Sequence, residues 1–483
     1  MPAFRSTIPA IFLTLLCCAT SARAADSLAK QSALTAAGEQ AELVERLGKQ
    51  VWEYAEPAFQ EHRSSKLLAD TLEAAGFRVR RNVAEMPTAF VAEFGSGKPV
   101  VALLAEYDAL PGLSNAAEPL QRSDPRQTAG HGCGHNLFGA ALVGAAISAK
   151  ASMEKHGLAG TLRVYGCPAE EGGCGKAYLI RAGEMKDVDL ALHWHPAASN
   201  TAEMKSSMAI IRFRVRFTGI SAHAAGSPHL GRSALDGVEL MNIGVNYLRE
   251  HVPSTARIHY VITHGGKRPN VVPESAEAWY YIRSPKMSEV QAIYARVRKI
   301  AEGAALMTET KQEIRMVTGS YEILPNEPLA RAVDANLRAV GPPTYTDEDR
   351  AFAQAIRREM NVAGKGDDEP LHTSIKPFGG GVGNGSTDVG DVSWIVPTAG
   401  LSVATAANDT PGHSWGMTAC AGSGIGTRGA QTAAKVLALS TIDFLVDAKL
   451  RASAIEDFNR RRGETKYEPV LDPAPPPERL DDF

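Results

Sequence analysis

Several short apolar runs in this chain each lead into a turn that carries histidine, cysteine or acidic residues. They are Val100 to Ala105 before Glu106-Tyr107-Asp108, Leu162 to Gly166 before Cys167-Pro168-Ala169-Glu170-Glu171, Leu190 to Leu192 before His193-Trp194-His195, and Leu401 to Ala404 before a turn to His413. Such runs predict buried strands, and open α/β sheets bind ligands at the carboxyl ends of their strands. The sequence therefore predicts an α/β fold with a polar site at one edge of a mostly parallel sheet.

The turns supply the ligand types that hold divalent metal ions. One cysteine, several histidines and paired glutamates suit borderline ions such as zinc, and such ions activate water for hydrolysis. The pattern indicates a metallohydrolase.

Composition bounds the partners. A chain of 483 residues exceeds what one core usually supports, so two domains are expected. The formal net charge of -3 gives no electrostatic footprint for nucleic acid or an acidic membrane. We expect a small-molecule or peptide substrate.

The N-terminus has the features of an export signal. Arg5 precedes an apolar stretch, Ile8 to Ala19, and Ala22-Arg23-Ala24 forms a small-residue cleavage site. We predict that residues 1–24 are a signal peptide and that the mature protein is periplasmic or secreted, with no membrane attachment. A retained anchor is the alternative.

The pattern of elements predicts an insertion. Strands and helices alternate to about Pro196, whereas Met208 to Phe217 alternates apolar residues with arginines, as a half-solvated antiparallel strand does. From 208 to 318 the order strand-helix-strand-strand-helix-strand indicates an α+β (ferredoxin-like) domain. It would interrupt a catalytic domain of residues 25–207 and 319–463. The proline-rich, acidic segment 464–483 is predicted to be disordered or a surface strap.

Two turns carry the strongest candidate site residues. Cys133 and His135 are separated by one glycine, so both side chains can face one ion if the backbone is extended or looped. Glu170 and Glu171 would point to opposite sides of an extended chain, which suits one for holding metal and the other for taking a proton. His193 and His195 share a face if their strand persists, so either or both are candidate ligands.

The cysteines leave one question open. An exported protein permits disulfides, and Cys167 and Cys174 flank the Glu-Glu turn closely enough to pair if the loop folds back. Spacing alone does not decide this pairing.

Six motifs together resemble the aminoacylase/carboxypeptidase family of dinuclear metallopeptidases. They are Glu-Tyr-Asp-Ala-Leu-Pro at 106–111, Gly-Cys-Gly-His-Asn at 132–136, Pro-Ala-Glu-Glu-Gly at 168–172, Ser-Ala-His at 221–223, Pro-Asn-Val-Val-Pro at 269–273 and Gly-Ser-Thr-Asp-Val-Gly at 385–390. The chain is most similar to the amidohydrolase branch that includes p-aminobenzoyl-glutamate hydrolase and the auxin-conjugate hydrolases. The resemblance covers residues 35 to 450.

The resemblance implies roles for individual residues. Two divalent ions, manganese or zinc with cobalt as an alternative, would be bound by a set in which Cys133 is placed to bridge them: Cys133, His135, Glu171, His193 and His413. Glu170 would be the general base, and Asp108 would orient His135. From the inserted domain, His223 would stabilise the oxyanion, acting on the partner subunit's site. Asn270 and Arg283 would hold the substrate carbonyl and carboxylate.

The resemblance also implies dimerisation through the inserted domain, as a homodimer or in a hetero-oligomer. Two positions depart from many relatives: Glu106, where another acid or a histidine is common, and Asn136, where aspartate is common.

Three functions follow. The first is a metal-dependent amidohydrolase that cleaves N-acyl or N-aroyl amino acids, such as an aminobenzoyl-glutamate-like amide. The second is a dipeptidase or carboxypeptidase that uses the same site. The third is a noncatalytic subunit of a hetero-oligomer, which the complete set of base and ligands argues against.

Overall fold

The computed structural model describes residues 26–362 and 369–480, so the predicted signal peptide lies outside the described residues. The helices are α1 (26–39), α2 (Ala41–Tyr54), α3 (His62–Ala74), α4 (His135–His156), α5 (Gly175–Arg181), α6 (Ala234–Leu248), α7 (Met287–Thr308), α8 (Glu327–Val340), α9 (Asp347–Glu359), α10 (Val389–Ser393), α11 (Trp415–Ala421), α12 (Gly424–Val446) and α13 (Ala448–Arg462). The strands are β1 (Arg78–Arg81), β2 (Phe90–Ser96), β3 (Val100–Glu106), β4 (Leu110–Pro111), β5 (Ala129–Gly130), β6 (Gly160–Cys167), β7 (Leu190–Ala197), β8 (Thr201–Glu203), β9 (Ala209–Thr218), β10 (Arg257–His264), β11 (Ser275–Ser284), β12 (Lys311–Ser320) and β13 (Thr398–Ala404). Short 3₁₀ turns occupy Val83–Glu85, Pro228–Leu230 and Arg249–His251.

The larger sheet has seven strands in the order β1-β2-β6-β3-β7-β13-β8. Its four central strands, β6, β3, β7 and β13, run parallel, and the others pair antiparallel. Every residue of β3 is buried, as expected for a parallel strand covered on both faces. The parallel centre brings the carboxyl ends of β3, β6 and β7 to one edge, as the sequence predicted.

Helix α4 lies in the middle of the main core. It is small and apolar on nearly all sides, and most of its residues are buried. A Cβ atom on Gly144 would lie 2.4 Å from Cγ2 of Val44, so the glycine allows α2 to pack closely. Among the described helices, α4 alone is long and apolar enough to cross a membrane, and 83% of its most apolar stretch is buried inside the protein.

The second sheet is antiparallel, with the order β10-β11-β9-β12. Helices α6 and α7 cover one face, where the alternating residues Phe213, Val215 and Phe217 of β9 join the core. This unit, from Ala209 to Ser320, is the inserted domain, which the sequence predicts at 208–318.

The segment after the last helix runs along the junction between the two sheets. The N–H of Gly319 donates to the carbonyl of Val470 (2.7 Å), and the Tyr467 hydroxyl donates to Asp391 (3.0 Å). Arg181 donates to the carbonyl of Asp472 (3.0 Å). Residues 464–480 therefore form a strap, the second of the two predicted alternatives; residues 481–483 lie outside the described part.

Candidate metal centre

The candidate ligands are carried by loops that meet at the carboxyl edge of the larger sheet. His135 is the first residue of α4, after a loop that holds Cys133. The backbone N–H of His413 donates to the carbonyl of Gly132 (2.9 Å), which ties the two ligand-bearing loops together. Glu170 and Glu171 lie in the turn that follows β6.

A first cluster joins Cys133, His135 and His195. One ligand atom from each lies within 4.8 Å of the others, and Cys133 Sγ is 3.5 Å from Nε2 of His195. All three side chains face each other from different elements: a loop, the start of α4 and the end of β7. One thiolate and two imidazoles form a set typical of a zinc-type site.

A second cluster joins Cys133, Glu171 and His413, again with ligand atoms within 4.8 Å of one another. His413 Nε2 lies 3.2 Å from Oε1 of Glu171. Cys133 belongs to both clusters, so the geometry suits a thiolate shared between two ions.

Behind the clusters, Asp108 contacts both halves. Its Oδ1 lies 2.8 Å from Nδ1 of His135, and its Oδ2 accepts the backbone N–H of Glu171 (2.8 Å). A carboxylate on Nδ1 fixes the imidazole so that Nε2 faces the cluster. The structure thus places Asp108 where the predicted orienting role requires it.

A third group of acids lies beside the first cluster. Ligand atoms of Glu106, His135 and Glu170 lie within 4.8 Å of one another. The fully buried Lys176 neutralises this region, because its Nζ donates to Glu106 (2.6 Å) and to Asp388 (2.5 Å). A buried carboxylate needs such a partner to stay charged.

The pKa values record how strongly these groups interact. Burial opposes the charged thiolate, but His195 and His135 hold the pKa of Cys133 well below its ordinary value. Burial, then Glu106 and other acids, raise the pKa of Glu170 well above its ordinary value. Burial and then Cys133 raise the pKa of Glu171 to about 7. The site combines a stabilised thiolate with a carboxyl group that holds a proton readily.

Several buried atoms fit a metal ion. Nε2 of His135, Oε1 of Glu171 and Oε2 of Glu106 are buried and have no hydrogen-bond partner. Unsatisfied buried polar atoms are costly, so a divalent ion beside them would supply the missing partner. The donor set of sulfur, nitrogen and oxygen fits borderline divalent ions.

His195, rather than His193, occupies the cluster. Strand β7 persists to Ala197, so both histidines face the same side, but His193 lies deeper beneath β13. It packs over Gly400, where a Cβ atom would lie 2.2 Å from its Nε2, and this nitrogen is 3.7 Å from Glu203. The structure therefore does not bring His193 to Cys133, and the predicted third position is corrected to His195.

His223 and Asn270 lie together at a different place. They are exposed on the inserted domain, where His223 pairs with Val271 in an isolated bridge. The backbone N–H groups of Ala225 and Gly226 donate to Nδ1 of His223 (3.2 and 3.0 Å). The ring proton must then sit on Nε2, which faces outward as a hydrogen-bond donor.

The cleft beside the first cluster has a volume of about 560 Å³, a size typical of small-molecule sites. Its walls include Glu106, His195 and Ser386. Arg283 is half-buried and donates to Oγ of Ser386 (3.3 Å), so this predicted substrate-binding residue lies at the wall of the cleft.

The remaining sequence questions concern structure. Asn136 turns away from the clusters and donates to the carbonyls of Gly48 and Ala421 (3.0 and 3.1 Å), so it anchors α4. Cys167 and Cys174 are both buried free thiols and form no disulfide.

Sequence reasoning assigned no role to Lys176 or Asp388. Asp388 lies within the quoted Gly-Ser-Thr-Asp motif, which was a usable signal. Lys176 gave only a weak signal, a single lysine directly after the Glu-Glu turn, because a lysine is ordinarily exposed.

The comparisons with known proteins agree with this arrangement. The family model described as the peptidase dimerisation domain matches residues 206–308, within the inserted domain. Over 430 residues the chain is 45% identical to one of the two named subunits of p-aminobenzoyl-glutamate hydrolase from Escherichia coli, and the match covers 84% of this chain and 89% of that protein. The Xaa-Arg dipeptidase of Mus musculus is 30% identical over 455 residues, 91% of this chain and 94% of that protein.

Among solved structures, the fold is similar to that of a dinuclear metal-binding peptidase of the M20 family from Bacillus subtilis. The TM-score is 0.55 with 18% sequence identity, over 84% of this chain and 99% of that one.

Proposed function

Since this chain belongs to the M20 family of metallopeptidases and amidohydrolases, we propose that it cleaves the amide bond of N-acyl or N-aroyl amino acids, an aminobenzoyl-glutamate-like amide among them. As a member of this family it is a metal-dependent hydrolase of amide or peptide bonds. The finer assignment of substrate rests on the relative at 45% identity.

One observation carries the proposal. Cys133 belongs to both ligand clusters, and the buried Glu170 lies beside the first cluster, with its side chain near His135. This is the arrangement that a two-ion hydrolase with a carboxylate base requires.

We assign Cys133, His135 and His195 to one ion and Cys133, Glu171 and His413 to the other. His195 replaces His193 in this assignment because it is the histidine near Cys133. Manganese, zinc and cobalt all suit these donors, so availability would decide among them.

When bound, two divalent ions would lower the pKa of water and polarise the amide carbonyl. Glu170 takes the proton from the attacking water and returns it to the departing nitrogen. Its raised pKa makes it a good proton carrier near neutral pH. Asp108 keeps His135 oriented throughout, and His223 of a neighbouring subunit donates its Nε2–H to the oxyanion.

A substrate panel tests the proposal. Purified, metal-reconstituted protein should hydrolyse N-acyl and N-aroyl amino acids, including N-(4-aminobenzoyl)-glutamate, faster than free dipeptides of the same residues. Faster cleavage of the dipeptides would favour the dipeptidase alternative. Activity that requires a second, different chain would make the protein one component of a hetero-oligomer, as the name of the Escherichia coli relative suggests for that protein.

The proposal also includes export and assembly. Cleavage before Ala25 would release a periplasmic or secreted protein, and N-terminal sequencing of protein expressed with its leader tests it. The dimerisation domain supports oligomerisation, and we propose a homodimer. Light scattering of the purified chain distinguishes a homodimer from a monomer.

A further inference from the structure

Two arginines on the inserted domain face the catalytic domain side by side. Arg212 on β9 pairs with Tyr281 on β11, and Arg283 pairs with Ile210. Residues at these positions lie on one face of the sheet as diagonal neighbours, within reach of long side chains. This is the face that α6 and α7 leave uncovered, because their core contacts are Ile211, Phe213 and the alternating residues that follow.

Two other arginines on this face have acidic partners. Arg214 pairs with Glu277 (2.8 Å) and Arg315 with Asp472 (3.1 Å). In the part of the chain that the structure describes, neither Arg212 nor Arg283 forms an ion pair with a carboxylate. These two arginines are also nearer the catalytic domain.

Their present contacts are neutral and incomplete. Nη1 of Arg212 donates to Sγ of Cys174 and to Oγ1 of Thr318 (both 3.2 Å), and Nη1 of Arg283 donates to Oγ of Ser386 (3.3 Å). The Nε atoms of both arginines are buried without a hydrogen-bond partner. Arg212 is only 7% exposed.

Such a pair is costly unless an anion joins it. Burying a charged side chain without a counter-ion costs several kcal/mol, about as much as breaking a buried ion pair. Two adjacent guanidinium groups add repulsion, and burial together with Arg212 lowers the pKa of Arg283. A bound carboxylate would satisfy the free N–H groups bidentately.

The pair borders the candidate site. Cys174 ends the turn that begins with Glu170 and Glu171, and Ser386 lines the cleft together with Glu106 and His195. An anion held by the two arginines would therefore lie beside a substrate in the cleft.

We propose that Arg212 and Arg283 form a two-arginine receptor for an amino-acid product that carries two carboxylates, in which Arg212 binds the side-chain carboxylate. The inference rests on the proposed amidohydrolase function and narrows its substrate class to amides of acidic amino acids. Arg283 retains the main-chain carboxylate role that the family resemblance implies, and Arg212 determines the specificity for the side chain.

A purely structural role for Arg212 makes a different prediction. If Arg212 only holds Cys174 and the catalytic turn in place, its loss would slow all substrates alike. If it binds a side-chain carboxylate, its loss would slow acidic substrates alone.

The test compares N-benzoyl-glutamate with its uncharged isostere N-benzoyl-glutamine, using metal-reconstituted protein. The unaltered enzyme should prefer glutamate. Arg212→Gln should lower kcat/KM for the glutamate substrate by about 10- to 100-fold, mainly through KM, because a hydrogen bond to a charged group is lost. The glutamine substrate should change by no more than about 2-fold, within the small effects expected away from a contact. Arg212→Lys should give an intermediate preference, since it keeps the charge but not the fork.

Matched controls address the neutral contacts. Cys174→Ala and Thr318→Val remove the partners of Arg212 within its own chain while leaving the arginine, and both should keep the preference for glutamate. Equal losses on the two substrates in Arg212→Gln, or no preference in the unaltered enzyme, would overturn the receptor.

A binding measurement separates this inference from the proposed function. If the unaltered enzyme cleaves no amide, the amidohydrolase proposal fails, and calorimetry with N-benzoyl-glutamate then decides the receptor alone. In Glu170→Gln protein the glutamate compound should bind more tightly than the glutamine compound, and adding Arg212→Lys should reduce that difference. Equal binding of the two compounds to Glu170→Gln protein would count against the receptor, whichever way the function is settled.

Discussion

The catalytic domain and the inserted domain contribute to the site in opposite states of completion. In the catalytic domain, His135, Asp108, Glu106 and Lys176 are buried at the strand ends and contact one another directly. In the inserted domain, His223 and Asn270 are exposed.

The difference indicates what completes each half. The buried ligand atoms without partners call for metal ions, which one folded chain can bind by itself. The exposed Nε2 of His223 has no reacting group nearby in its own cleft, since the described residues that line the cleft do not include it. We propose that a second copy of the chain completes this half.

The largest expected effect is the loss of the shared ligand. Cys133→Ala should lower metal content and reduce activity to the background rate, because a methyl group cannot bridge two ions. Elemental analysis alongside turnover of an N-acyl amino acid measures both. Full occupancy of both ions in this variant would contradict a bridging Cys133.

A pair of histidine variants sharpens the ligand assignment within the catalytic domain. His195→Ala should lose one ion and the activity with it, whereas His193→Ala should keep two, because only His195 lies near Cys133. The two histidines share one face of β7, so each variant is the control for the other. A reversed result would return the ligand position to His193.

Removal of the base should separate chemistry from metal binding. Glu170→Gln should slow turnover by about 10²- to 10⁴-fold while metal content stays the same, the scale of general-base catalysis. Glu171→Gln is the matched control and should lose metal as well. Turnover near that of the unaltered enzyme would exclude Glu170 as the base.

The next prediction tests the inserted domain. His223→Ala should keep its metal and slow turnover by about 10²- to 10³-fold, the usual effect of losing an oxyanion donor. After subunit exchange with Glu170→Gln, some mixed dimers should contain one unaltered composite site and regain activity. No recovery despite proven exchange would place His223 in its own chain's site or in packing alone.

The smallest expected effect concerns an interior carboxyl group. Oε1 of Glu61 accepts the backbone N–H of Ala169 (2.8 Å), just before the catalytic turn, and burial and then Asp108 raise the pKa of Glu61 to about 8. Since the folded pKa exceeds the ordinary value of 4.5, this group stabilises the fold fully below pH 4.5 and loses that contribution as pH rises through about 8.

Metal-free Glu61→Gln should therefore show a smaller drop in Tm between pH 5 and pH 9 than the unaltered protein, by a few degrees. Thermal unfolding followed by circular dichroism at both pH values measures the difference. Parallel pH profiles would mean that Glu61 titrates normally.

Much of the fold was readable from local patterns. The alternation of β9, predicted over Met208 to Phe217, appears as Ala209–Thr218, and the predicted helix from Ser288 to Thr308 appears as Met287–Thr308. These succeed because periodic burial is written into consecutive residues. One segment was misjudged: residues 342–383, expected as a surface excursion, contain α9 and the buried Leu371. Charged residues on the outer face of α9 hid its apolar side.

The sequence by itself determined which residue types stand at the strand ends, and with them the metal chemistry and the family. Spacing of two along a strand shows that His193 and His195 share a face, but not how deep each one lies. That depth depends on the register between β7 and β13, which sets His193 over Gly400 and leaves His195 beside Cys133.

The tertiary structure also decided the charges. Lys176 becomes a partner of Glu106 and Asp388, and Arg212 donates to a thiol and a hydroxyl rather than to a carboxylate, only because distant segments pack together. Electrostatic energy in a protein interior depends on three-dimensional distance and burial, and neither quantity is encoded in the order of residues along the chain.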